Sequence, residues 1–120
     1  MRDHTKLKAF ELADEVVILA YQNTMMFPKN ETYGLTSQMR RAAVSVPSNI
    51  VEGCARDTQA QAEYLRFLYI AFRSIRELHY QFGLAKRLGF FAEQDVFVLE
   101  SKIIETEKVL NALIRSLRYK

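Results

Sequence analysis

Few residues in this chain have side chains suited to bond-making chemistry. There are two histidines, His4 and His79, and one cysteine, Cys54. Zinc needs three or four converging ligands, and no His/Cys spacing supplies them. Cys54 follows Gly53 at the end of an apolar-periodic segment, where the negative pole of a helix disfavours a thiolate. His4 lies near a fraying terminus, and His79 has no carboxylate or histidine one turn away, so His79 reads as structural or as without a role. No Gly-rich phosphate loop, nucleophile elbow or paired-acid motif occurs. These observations predict no metal, no cofactor and no enzyme.

The most specific polar pattern is a stripe, Gln38, Arg41, Ser45, Asn49 and Glu52, recurring at three- and four-residue steps. On a helix these share one face. Arg41 and Glu52 are placed to form charge-assisted bonds with Glu77 and Arg73 farther along the chain. The pattern favours a network that fixes helix register or a subunit interface. Contact with a ligand or nucleic acid is the second reading, and catalysis at Arg41, Asn49 and Glu52 the third.

Basic residues are uneven. Between Thr36 and Phe90 there are eight Lys/Arg against four Asp/Glu, and no acid follows Glu107. Solvated helix faces explain part of this. The alternative is a phosphate-binding surface using Arg40, Lys86, Arg87, Arg115, Arg118 and Lys120, with Arg41 consumed by internal pairing. Most Tyr and Phe fall on apolar seams, so no platform for stacking bases is expected. Binding would then be backbone-directed and weakly sequence-specific.

Four segments must position these groups. In the first, about Lys6 to Met25, Leu7, Phe10, Ala13, Val17, Ala20 and Thr24 form one helical face, with Leu12, Val16 and Leu19 as a second stripe. Pro28 closes it. In the second, about Leu35 to Gly53, the seam is Leu35, Met39, Ala42, Val46, Ile50 and Gly53. Thr32 or Thr36 would cap its start. Pro47 sits inside this pattern and predicts a kinked but continuous helix, because the seam keeps one phase across it. Ser45, Ser48 and Asn49 are near enough to satisfy the carbonyl it frees. In the third, about Thr58 to Leu88, the seam is Tyr64, Leu68, Ala71, Ile75, Leu78, Phe82 and Ala85. Asp57 or Thr58 would cap it, Gly89 would stop it, and Leu65, Tyr69 and Phe72 run alongside. In the fourth, about Glu93 to Arg118, Val96, Leu99, Ile103, Thr106, Leu110, Leu113 and Leu117 keep the same rhythm.

Four such helices with short connections predict an all-α fold, an antiparallel up-down-up-down four-helix bundle forming one domain over residues 1–120. The chain has 120 residues, 49% hydrophobic and 26% charged, with only 4 Gly and 2 Pro, which disfavours an all-β fold and a disordered chain. No apolar run reaches membrane-spanning length. The charged amphipathic start is unlike a signal peptide, and one cysteine suits a reducing compartment, so the expected location is cytoplasmic with no membrane partner. The second stripes, with Val16, Leu65, Tyr69 and Phe72, predict a self-association surface.

The stretch Phe27 to Gly53 also carries a family resemblance. Phe27-Pro28, Glu31, Tyr33-Gly34-Leu35, Gln38, Arg40-Arg41-Ala42, Ser45, Pro47, Asn49-Ile50 and Glu52-Gly53 match the pattern of the 23S rRNA intervening-sequence proteins. Val46 stands for the usual Ile and Val51 for the usual Ala. The match continues from Phe67 to Leu78, with Arg73 at the usual Gly. Arg76 to Phe82 and Leu84 to Gly89 also resemble a related branch, the accessory proteins of diversity-generating retroelements. The resemblance implies a four-helix bundle assembling into a homopentameric ring. It also implies a role in binding RNA or DNA, or in serving as an adaptor for a protein partner such as a reverse transcriptase.

Overall fold

The second segment shows why the chain folds as it does. Its predicted seam residues Leu35, Met39, Ala42, Val46, Ile50 and Gly53 are all buried. In the computed structural model, which describes residues 2–56 and 61–119, this segment is helix α2, Leu35–Ala55. It follows α1, Lys8–Thr24, and precedes α3, Gln61–Arg87, and α4, Glu93–Arg118. Short 3-10 turns cover His4–Lys6 and Lys29–Glu31. There is no strand among the described residues.

Each helix borders two others: α1 touches α2 and α4, and α3 touches α2 and α4. The most extensive pairing is α2 with α3. Gly53 permits it, since a Cβ there would lie 3.0 Å from Phe67 Cβ and 3.2 Å from Tyr64 Cδ1. The contacts between α3 and α4 run in opposite order along the two helices. Gln61 meets Leu117, Arg76 and His79 meet Glu107, and Lys86 meets Glu100.

The core combines Met39, Val46 and Ile50 of α2 with Leu68, Ile75, Leu78 and Phe82 of α3 and Leu99, Ile103 and Leu110 of α4. The α3 seam is buried as predicted. In α1 the expected face is buried at Ala13, Ala20 and Thr24 but shifts toward the second stripe. Leu12 and Val16 are in the core, while Phe10 and Val17 are only half-buried. The small Ala9, Ala13 and Ala20 let this helix lie close, and that brings Leu12 and Val16 inward. Val16 is therefore unavailable to a partner. Leu65, Tyr69 and Phe72 pack against the core from its edge.

The ends of the helices follow local chemistry. Gly89, at φ 75°, sits past the end of α3, and Phe90 N–H donates to the Ala85 carbonyl across it. That is the wrapped helix stop for which glycine is suited. The start of α2 is capped by Glu31, whose Oε1 accepts from Leu35 N–H at 3.1 Å. Neither predicted threonine does this; Thr32 donates instead to the Lys29 carbonyl. The predicted caps Asp57 and Thr58 lie outside the described residues. Helix α2 runs unbroken through the buried Pro47. Of the side chains expected to serve the freed carbonyl, Asn49 Nδ2 donates instead to the Ser45 carbonyl and Ser45 Oγ pairs with Ser74 Oγ.

Candidate nucleic-acid interface

The polar stripe of α2 divides into three parts with different partners. Ser45 Oγ lies 2.8 Å from Ser74 Oγ of α3, and Asn49 Nδ2 donates to Ser45 Oγ at 3.0 Å and to its carbonyl at 2.8 Å. Ser45 thus ties α2 to α3, while Asn49 supports it from one turn along its own helix. Glu52 accepts from Arg56, one turn on, at 2.9 Å. It does not reach Arg73, because Arg56 is on its own helix face and Arg73 is exposed. Gln38, Arg41, Ser45, Ser74 and Glu77 line a polar cleft of about 330 Å³ between α2 and α3. Arg41 and Glu77 share this wall without bonding to each other. Glu77 instead accepts from Gln81 at 3.4 Å.

Arg41 and Ser45 also border a larger cleft of about 630 Å³, walled by Tyr21, Tyr33, Arg40 and Val44. Arg40 is held inward. Its Nε donates to Thr24 Oγ1 at 2.9 Å, its Nη2 to the Tyr21 carbonyl at 3.3 Å, and its guanidinium lies 4.6 Å over the Tyr21 ring. Tyr33 is 97% exposed. These two tyrosines stand apart from the apolar seams on which most Tyr and Phe fall. Tyr33 lies in the turn before α2, outside any helical seam, and Tyr21 lies off both apolar stripes of α1. Those positions were the available signal.

The remaining basic candidates do not form one patch. Lys86 pairs with Glu100 at 3.8 Å. Arg87 is exposed beside it in sequence, near the start of α4. Arg115 and Arg118 are exposed at the far end of α4, and Arg118 lies over the Tyr119 ring at 5.5 Å. The fifteen residue steps from Glu100 to Arg115 span about 22 Å at the helical rise. Lys120 lies outside the described residues. Arg41, Arg73, Arg87, Lys108 and Arg115 have no ion-pair partner among the described residues.

His79 has a partner that was not apparent one turn away. Its Nδ1 lies 2.9 Å from Glu107 of α4, which also accepts from Arg76 Nη1 at 2.9 Å. Cys54 is buried in the last turn of α2. Next to it, burial pushes the Tyr64 phenol up to about 12. Cys54 adds to the rise, and Arg2, 3.9 Å over the ring, opposes it. Lys102 is held above its usual range by its bond to Glu15 at 2.9 Å. No group of three or more His, Cys, Asp or Glu is arranged to hold a metal among the described residues. No helix among them is long and apolar enough to cross a membrane.

A second surface is apolar. Ile18, Leu19 and Val98 line a groove of about 390 Å³ along α1 and α4, edged by Asp14, Glu15 and Lys102. Phe97, the next residue on α4, is 74% exposed.

The family described as 23S rRNA-intervening sequence protein matches residues 5–112. No curated protein matches the chain. Among solved structures, the chain is similar to a protein of unknown function from the S23 ribosomal protein family of Bacteroides thetaiotaomicron. The TM-score is 0.71 at 22% identity, covering 90% of this chain and 92% of that one. At that identity the likeness is one of fold.

Proposed function

This chain belongs to the 23S rRNA-intervening sequence protein family, and on that premise we propose that it is a non-enzymatic homo-oligomer that binds nucleic acid through the phosphate backbone. The observation that carries this reading is the number of exposed cations without an ion-pair partner among the described residues, Arg41, Arg73, Arg87, Lys108, Arg115 and Arg118 among them. Several acids that could neutralise them are committed elsewhere, as Glu52 is to Arg56 and Glu107 to Arg76. A cation left without a partner is available to a phosphate, and its binding releases counterions.

On the same reading the helices form an antiparallel up-down-up-down bundle. The opposite order of the α3 and α4 contacts supports it. Self-association draws support from the exposed Ile18 and Val98, which share one groove, and from the exposed Phe97, since exposed apolar surface marks contact sites. By resemblance the assembly is a ring of five. Five chains of +3 would carry about +15 on one particle. The apolar groove equally suits a protein adaptor, which is the second reading.

Light scattering combined with RNA and DNA retention across a salt series tests both parts. A stable 14.0 kDa species at micromolar concentration would remove the oligomer. No retention at about 50 mM salt would remove the nucleic-acid reading and leave the adaptor.

A further inference from the structure

The cleft between the end of α1 and the start of α2 differs chemically from the rest of the surface. Its walls carry two arginines, two tyrosines and several hydroxyls, including Ser37, and no carboxylate. Tyr33 is almost fully solvated, whereas the Tyr21 ring is already covered by Arg40. The hydrogen bonds from Arg40 to Thr24 and to the Tyr21 carbonyl hold that guanidinium in place before any ligand arrives. Arg41 is exposed and has no ion-pair partner among the described residues. The cleft therefore offers one open aromatic face, one fixed cation and one available cation. The complement of such a set is a planar ring joined to an anion.

We propose that this cleft binds an unpaired nucleotide of a single strand, with the base stacked on Tyr33 and its phosphate at Arg41. A base inside a duplex stack cannot offer its face, so the geometry selects single strands. The volume of about 630 Å³ falls within the range of about 300–1,000 Å³ usual for small-ligand cavities. Val44 gives the base an apolar edge, and Ser37 offers a hydroxyl to sugar or phosphate. The inference rests on the nucleic-acid reading above and narrows it. Backbone contact alone would favour the more densely charged duplex, whereas stacking favours a single strand.

The test uses the full chain and two end-labelled RNAs of equal length, a polyuridine single strand and a duplex, read by fluorescence anisotropy. The single strand should bind more tightly. Tyr33→Ala should weaken single-strand binding about tenfold or more and leave duplex binding unchanged, while Tyr33→Phe should retain it. Arg41→Gln should weaken single-strand binding and flatten its salt dependence. Tyr80→Ala, at another exposed tyrosine, should change nothing. The exposure of Tyr33 means the fold should survive, which circular dichroism verifies. If the wild type binds RNA but Tyr33→Ala binds the single strand equally well, this inference fails and the broader reading stands. If no RNA binds at all, both fail. A change of oligomeric mass in Tyr33→Ala would make the face a contact between copies and overturn the proposal. Equal competition by free uridine monophosphate would overturn the assignment to a strand.

Discussion

Glu107 accepts a hydrogen bond from Arg76 at 2.9 Å, and the burial of the two partners is lopsided. Glu107 is 8% exposed, while the Arg76 side chain remains largely in water. Glu107 also meets His79, so one carboxylate on α4 gathers two partners from α3. Glu107→Ala should cost about 2 kcal/mol, because it strips the partly buried His79 of its partner and leaves a gap. Arg76→Ala should cost less than about 1 kcal/mol, since its guanidinium returns easily to water. Urea unfolding of the two variants measures the asymmetry, and equal losses would contradict it.

The glycines of α2 and α3 should respond in opposite directions to alanine. Gly53→Ala places a methyl 3.0 Å from Phe67 Cβ and 3.2 Å from the Tyr64 ring. That forces α2 and α3 apart and should cost about 1–3 kcal/mol. Gly83 sits inside α3 with nothing within 4 Å of an added Cβ. Gly83→Ala should stabilise by up to about 1 kcal/mol through helix propensity. Thermal melting of both variants, with the wild type between them, is the expected result.

Tyr64 should set an alkaline limit. Its phenol is pushed up to about 12 from 10.0, chiefly by burial. The folded chain thus holds a proton that the unfolded chain releases above about pH 10. Stability from this group is fully present below pH 10 and is lost as pH rises towards 12. Tyr64→Phe should flatten the fall in urea midpoint over that interval. A fall as steep as in the wild type would assign it to other groups.

The basic residues should not contribute equally to nucleic-acid binding. Arg87, Arg115 and Arg118 are exposed, whereas Lys86 pairs with Glu100. Changing the three arginines to Gln should lower the slope of log affinity against log salt by about 0.9 for each duplex phosphate contact removed. Lys86→Gln should lower it less, because that ammonium is already shared with a carboxylate. A larger effect from Lys86 would show that its ion pair opens on binding.

Phe97 should matter to assembly and not to folding. It is exposed on α4, next in sequence to the groove residue Val98, so Phe97→Glu should leave the melting of helix intact and reduce the mass in solution. An unchanged mass would place the contact between copies elsewhere.

The seams of α2 and α3 could be read from spacing alone. Leu35, Met39, Ala42, Val46 and Ile50, and Tyr64 through Ala85, are buried where the period of 3.6 puts them. The stops at Pro28 and Gly89 follow from backbone chemistry that each residue carries wherever it stands. The family motif likewise resides in consecutive residues. The candidate site was less accessible. The α2 stripe was visible as a stripe, but only packing decided that Ser45 takes Ser74, that Glu52 stays with Arg56, and that Arg41 is left at the edge of two clefts. Glu107 and His79 are 28 residues apart and meet only because two helices bring those turns together. The shift of the buried face of α1 that hides Val16 depends on the small residues facing its neighbours. Periodicity is a property of one helix, whereas partner choice depends on the rotation and register of two, and these are set by all the side chains that pack between them.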